Sequence, residues 1–65
     1  MEIIVNGSKK TVTSTLVSEL ITELQLKSNG IALALNQGIL PYKEWANTSL
    51  TNGDIITIIK ATQGG

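Results

Sequence analysis

Only one stretch of this chain carries a helical period, and segments that read as strands stand on both sides of it. Leu16, Val17, Leu20, Ile21 and Leu24 recur at the spacing of one helix face, while Ser18, Glu19, Thr22 and Glu23 take the other. A lone amphipathic helix cannot bury its own apolar stripe, so a sheet must receive it. The flanking segments supply that sheet. Ile3, Ile4 and Val5 form a β-branched run that stops at Asn6-Gly7. This dipeptide signals a hairpin, because a tight primed turn needs positive φ at both central residues. Lys9 to Val12 is expected to return as the second strand. Thr13, Ser14 and Thr15 then offer side-chain oxygens to the free N–H groups of the helix. No strict capping box is expected there, since the candidate caps lack Glu or Gln three residues on.

Gln25 to Gly30 is expected to end the helix, with Asn29-Gly30 suited to left-handed conformations. Ile31 to Leu35 alternates large and small, with Ile31, Leu33 and Leu35 on one face and Ala32 and Ala34 on the other, which predicts a strand. A turn at Asn36-Gln37-Gly38 leads to a short strand, Ile39-Leu40, stopped by Pro41. Tyr42 to Asn47 reads as an irregular or single-turn segment pinned by Trp45. Asn52-Gly53-Asp54 turns the chain into a last strand, Ile55 to Lys60. Thr62-Gln63-Gly64-Gly65 holds no core-forming residue and is expected to be a flexible tail. The order predicts an α+β fold of ββαββ type, the β-grasp arrangement, with one helix packed on one face of a mixed sheet. The domain is expected over residues 1–61 and the tail over 62–65.

Composition narrows the function classes. With 65 residues there is one small core and no room for a deep catalytic cavity. The 42% apolar content is too high for a disordered segment. Formal charge is zero, the five basic residues are all lysines and scattered, and no nucleic-acid partner is expected. Without Cys or His, disulfides, thiolate and imidazole metal sites and the commonest general base are missing. No apolar run approaches the ~18 residues of a membrane span, and no signal-peptide pattern opens the chain. A cytoplasmic protein without membrane contact is therefore expected, and Asn47-Thr48-Ser49 is read as a chance sequon.

Glu19 and Glu23 share a helix face and invite comparison with a general-acid pair. Exposed carboxylates on the polar side of a helix are read instead as solvated, with nothing to drive their pKa values apart. No phosphate loop, nucleophile elbow or metal constellation is present. The chain reads as a partner or protein co-substrate, with no catalytic and no metal-binding residue of its own. The end stands out. At ~7% Gly usage, two terminal glycines arise by chance about once in two hundred chains. A carboxylate led by a segment without Cβ atoms can thread a narrow channel into another protein's active site. An inert, frayed terminus is the alternative. A second candidate surface follows from period-two alternation. If Ile56 and Ile58 join Ile3 and Val5 in the core, then Ile4, Ile55 and Ile59 point outward as a partner-docking patch.

These pieces resemble the ThiS family of ubiquitin-like thiamine-biosynthesis sulfur carriers. The matching residues are Val5-Asn6-Gly7, the helix Val17-Ser18-Glu19-Leu20-Ile21, the block Ala32-Leu33-Ala34-Leu35-Asn36, and Ile39-Leu40-Pro41 with Trp45 four residues beyond. Gly53-Asp54 and the closing Gly64-Gly65 complete the set. Tyr42 after the proline, and Thr62 and Gln63 in the tail, depart from the family's habits. The resemblance implies that Gly65 is the reacting residue and Gly64 its approach. It implies a ubiquitin-activating-like adenylyltransferase that uses ATP and magnesium to adenylate the Gly65 carboxylate. A persulfide donor then supplies the sulfur of a thiocarboxylate, which thiazole synthase receives. The free carrier is expected to be a monomer with no bound cofactor. The molybdopterin-synthase small subunit shares the terminal chemistry and is the nearest rival. A small protein modifier, or a β-grasp interaction module with an inert tail, stands further off.

Overall fold

Two turns of the same kind set the edges of the sheet. In the computed structural model, which describes residues 1–27 and 29–60, Asn6 and Gly7 have φ of 50° and 84° and Asn36 and Gln37 have 51° and 76°. Both are therefore primed turns, whose twist suits the strands they join. The first links β1 (Glu2–Val5) to β2 (Ser8–Thr11), and the second links β3 (Ile31–Leu35) to β4 (Gly38–Leu40). β5 (Ile55–Lys60) follows the turn at Asn52-Gly53. The five strands form one sheet in the order β2-β1-β5-β3-β4. β1 and β5 pair in parallel, and all other pairs are antiparallel. The expected mixed sheet is present, and Gly38–Leu40 adds its short edge strand to the β-grasp frame.

α1 (Val17–Glu23) lies on one face and buries Val17, Leu20 and Ile21. They join Ile3, Val5, Val12, Leu33, Trp45, Leu50, Ile56 and Ile58 in one contiguous core. Tyr42–Asn47 is a 3-10 helix, and Trp45 pins it as expected. The Trp45 ring is buried and its Nε1–H donates to the Leu40 carbonyl at 2.9 Å. No helix among the described residues is long and apolar enough to cross a membrane.

The start of the helix differs from the sequence expectation, and its end falls where Gln25 to Gly30 was expected to stop it. The N-cap is Leu16, whose side chain has no acceptor, so the hydroxyls of Thr13–Thr15 do not cap α1. Glu19, three residues on, supplies half of a capping box by accepting from the Leu16 N–H at 3.2 Å. At the other end the helix closes on Gln25, left-handed at φ of 60°, while Gly30 is left-handed at φ of 76° as expected, in the turn before β3. Leu26 N–H donates to the Ile21 carbonyl and Gln25 N–H to that of Thr22, each at 3.0 Å, which makes a Schellman motif. A side chain at positive φ costs energy that glycine does not incur. Replacing Gln25 by Gly should therefore stabilise the protein by about 0.5–1 kcal/mol, read as a raised denaturant midpoint with unchanged slope. A lowered midpoint would mean that the Gln25 side chain contributes more than its backbone costs.

Candidate functional site

Strand register defines the sheet face opposite α1. Directly paired residues point to the same side. Ile4 pairs with Ile55, Ile59 with Ala32, and Ala34 with both Thr57 and Ile39. On the other side Ile56 and Ile58 are buried with Ile3 and Val5, so the expected alternation holds. Ile55 is 49% exposed, Ile59 52%, and Ile4 is half-buried. The apolar face extends further than sequence reasoning reached, because Ile39 on β4 joins it at 69% exposure. Ala34 is buried on this face, outside the contiguous core, between Thr57 and Ile39. Small Ala32 and Ala34 thus separate the isoleucines of β1 and β5 from Ile39.

Asparagines hold the strands that carry this face. Asn36 Oδ1 accepts the Ile55 N–H at 2.9 Å, while its Nδ2 donates to Asp54 Oδ1 at 3.0 Å. Asp54 Oδ2 in turn accepts from the Thr51 N–H at 2.8 Å. That network fixes the start of β5. Near its end, Asn6 Oδ1 accepts the Ile58 N–H at 2.8 Å. The β1–β5 register stops at Val5 and Ile56, so the Asn6 amide continues the pairing where the turn has taken the β1 backbone away. Asn52 Oδ1 does the same for the Glu2 N–H, at 2.7 Å. Sequence reasoning took Asn6 and Asn36 as turn residues only; their side-chain roles depend on strands far off in sequence.

A cleft of about 250 Å³ opens beside the end of β5, floored by Val5, Leu24, Leu26 and Ile58 and rimmed by Lys10 and Lys60. A second hollow, of about 510 Å³, shares Leu26 and Lys60 with it. Gly64 and Gly65, the expected approach and reacting residues, lie outside the described residues.

Glu19 and Glu23 are not the freely solvated carboxylates expected from the sequence. Glu23 accepts from the Ser14 hydroxyl, from the Thr13 N–H at 3.1 Å and from the Ser14 N–H at 3.0 Å. Glu19 accepts from the N–H groups of Thr15 at 3.0 Å and Leu16 at 3.2 Å. These donors favour the ionised form. The Thr15 N–H, then that of Leu16, lowers the Glu19 pKa below its ordinary 4.5. The Ser14 hydroxyl, then the Thr13 N–H, does the same for Glu23. Both carboxylates are staples for the segment between β2 and α1, and neither is raised as a general acid must be. A depressed folded-state pKa gives stability that is present above the ordinary value and lost as pH falls through the lowered one. The denaturant midpoint should therefore hold at neutral pH and fall on acidification below 4.5. Replacing Glu19 and Glu23 together by Gln should flatten that fall; an unchanged acid slope would place the sensitivity elsewhere. Among the described residues no group of three or more His, Cys, Asp or Glu is arranged to hold a metal ion.

The ThiS family model matches residues 3–65. The chain belongs to the ThiS family. The family's sulfur carrier protein ThiS from Escherichia coli (strain K12) is 39% identical over 49 residues, which are 75% of this chain and 74% of that protein. The crystal structure of the thiamine biosynthesis protein ThiS from Geobacter metallireducens superposes with a TM-score of 0.87 at 26% identity, covering the whole of both chains. The solution structure of a thiamine biosynthesis protein from the same organism gives 0.79 at 26% identity, covering all of this chain and 88% of that one. The family's frame is thus the ubiquitin-like β-grasp seen here, with β5 at its centre.

Proposed function

We propose that this chain is a sulfur carrier of thiamine biosynthesis, and that the carboxylate of Gly65 carries the sulfur. The observation that supports it most is that the family match runs through to Gly65, the second of the two closing glycines. The absence of Cys from the sequence fits, because the sulfur then rides on the backbone terminus and needs no thiol. On this reading the chain acts as a protein co-substrate, and other proteins supply the chemistry.

The reaction follows from the carboxylate. An oxygen of Gly65 attacks the α-phosphorus of ATP, with magnesium as the activating enzyme's counter-ion, and pyrophosphate leaves. The acyl-adenylate is electrophilic where the free carboxylate is not, because AMP is a good leaving group. The terminal sulfur of a donor persulfide attacks the carbonyl carbon and AMP departs. A second thiol then cleaves the sulfur–sulfur link, forming a disulfide and leaving the thiocarboxylate. Thiazole synthase takes that sulfur. Gly64 lets the backbone pass close to the enzyme surface. The face formed by Ile4, Ile55 and Ile59, widened by Ile39, docks the activating enzyme and thiazole synthase.

Intact mass of the protein from its native cells tests the carrier reading. A species heavier by the difference between one sulfur and one oxygen, localised to Gly65, is the expected result. Its absence, even after incubation with ATP, an activating enzyme and a persulfide donor, would leave an interaction module with an inert tail. In the same assay Ile55→Ser with Ile59→Ser should raise the concentration of carrier needed for half-maximal conversion. A large loss of stability with that concentration unchanged would assign the two residues to packing instead.

A further inference from the structure

Among the described residues, the charged ones around the end of β5 are of one sign. Lys10 lies opposite Ile3 in the β1–β2 register and Lys60 opposite Ile31 in the β3–β5 register. Both therefore point to the helix side of the sheet, on either rim of the cleft floored by Val5, Leu24, Leu26 and Ile58. Among the described residues no carboxylate lines that cleft. Glu2 opens β1 and Asp54 precedes β5, at the opposite end of these parallel strands. Glu19 and Glu23 are held by the N–H groups of Thr13–Leu16. A chain with no net charge thus places a cationic, apolar-floored cleft beside the strand that leads into its terminal segment.

We propose that this cleft receives an acidic segment of the activating enzyme: an apolar side chain seated on Leu24, Leu26 and Ile58, with carboxylates on either side meeting Lys10 and Lys60. The proposal rests on the carrier reading, since a chain whose terminus is handed to another protein's active site needs a contact close to that terminus. It goes beyond the isoleucine face, which lies on the other side of the sheet. Ile59 faces outward and Ile58 and Lys60 inward, so the two contacts grip the end of β5 from both faces. Apolar contact gives hold, while the paired charges speed encounter and fix which way the carrier sits.

The test is carrier-dependent ATP–pyrophosphate exchange, using the adenylating enzyme purified from the same cells by that activity. Lys10→Glu with Lys60→Glu should raise the half-saturating carrier concentration by about tenfold or more and flatten its dependence on salt. The maximal rate and the melting temperature should stay as in the parent chain, and Lys10→Arg with Lys60→Arg should behave like the parent. An unchanged half-saturating concentration in the Glu variant, with exchange intact, overturns the cleft proposal and leaves the carrier reading standing. A lowered one overturns it too, because it would mean that the chain's own terminal carboxylate occupies the lysines. No exchange with the parent chain removes the carrier reading, and the cleft proposal with it.

Discussion

A chain that ends at Gly64 should fold and melt as the full chain does and accept no sulfur at all. Among the described residues every member of the contiguous core lies at or before Ile58, and the shortened chain keeps them all. On the proposed chemistry, what is lost is the placement of the reacting carbon. The carboxylate of the shortened chain ends one residue short, and one extended residue is about 3.3–3.6 Å. A displacement of even ~1 Å from the productive geometry can cost about 100-fold in rate, so a shift of this size should leave no measurable adenylation. Intact mass after incubation with ATP and a persulfide donor reads the result, and a thermal melt beside it reports the fold. A sulfur-bearing species on the shortened chain would show that the reacting group is not set by position. Replacing Gly64 by Val keeps the length and adds a branched side chain at the approach. It should slow adenylation with little change in the melt.

Trp45→Ala should be the most damaging single substitution for stability. The indole is buried, donates from Nε1 to the Leu40 carbonyl at 2.9 Å, and stands edge-on to the Tyr42 ring at 5.0 Å between centroids. Truncating a buried Trp costs about 3–5 kcal/mol. A domain of this size has only about 3–10 kcal/mol in all. Guanidinium denaturation followed by far-ultraviolet circular dichroism should therefore show the midpoint collapse, to the point where part of the population is unfolded without denaturant. Trp45→Phe separates the contributions. It keeps much of the apolar bulk but leaves the Leu40 carbonyl without its donor, and should cost more than the ~1 kcal/mol of one net hydrogen bond. A loss below ~1 kcal/mol for Trp45→Ala would mean that the 3-10 helix is held by something other than the indole.

Much of the fold could be read from local patterns, and the misses have one physical origin. Asn6-Gly7 announced its hairpin because positive φ is a property of the turn itself. The helix face of Val17, Leu20 and Ile21 was legible because a period survives any tertiary context. The helix caps were not. Thr13–Thr15 look like caps, yet the path of the chain out of β2 puts their N–H groups, with Ser14's hydroxyl, against Glu19 and Glu23. Leu16 at the N-cap and Gln25 at positive φ are poor local choices that tertiary packing overrides. The proposed docking face shows the same division. Ile4, Ile55 and Ile59 follow from alternation within two strands expected to be neighbours. Ile39 needed the register of a three-residue edge strand against β3, which no local rule supplies. The cleft between Lys10 and Lys60 needed four elements together, β1, β2, β5 and the segment after α1.

The position of β5 in the middle of the sheet has a consequence for how the carrier is made. β5 joins the β1–β2 hairpin to β3 and β4, yet Ile55–Lys60 are synthesised after all the other strands. A nascent chain still short of Ile55 holds two half-sheets with nothing between them, and pairing Ile4 with Ile55 must close a long loop. The domain therefore cannot close on the ribosome while β5 remains in the exit tunnel, and a chain broken off before β5 never closes at all. Only molecules that have nearly reached the glycines can present the proposed docking face folded. An enzyme that recognises the fold thereby avoids loading unfinished copies, without having to inspect the terminus first.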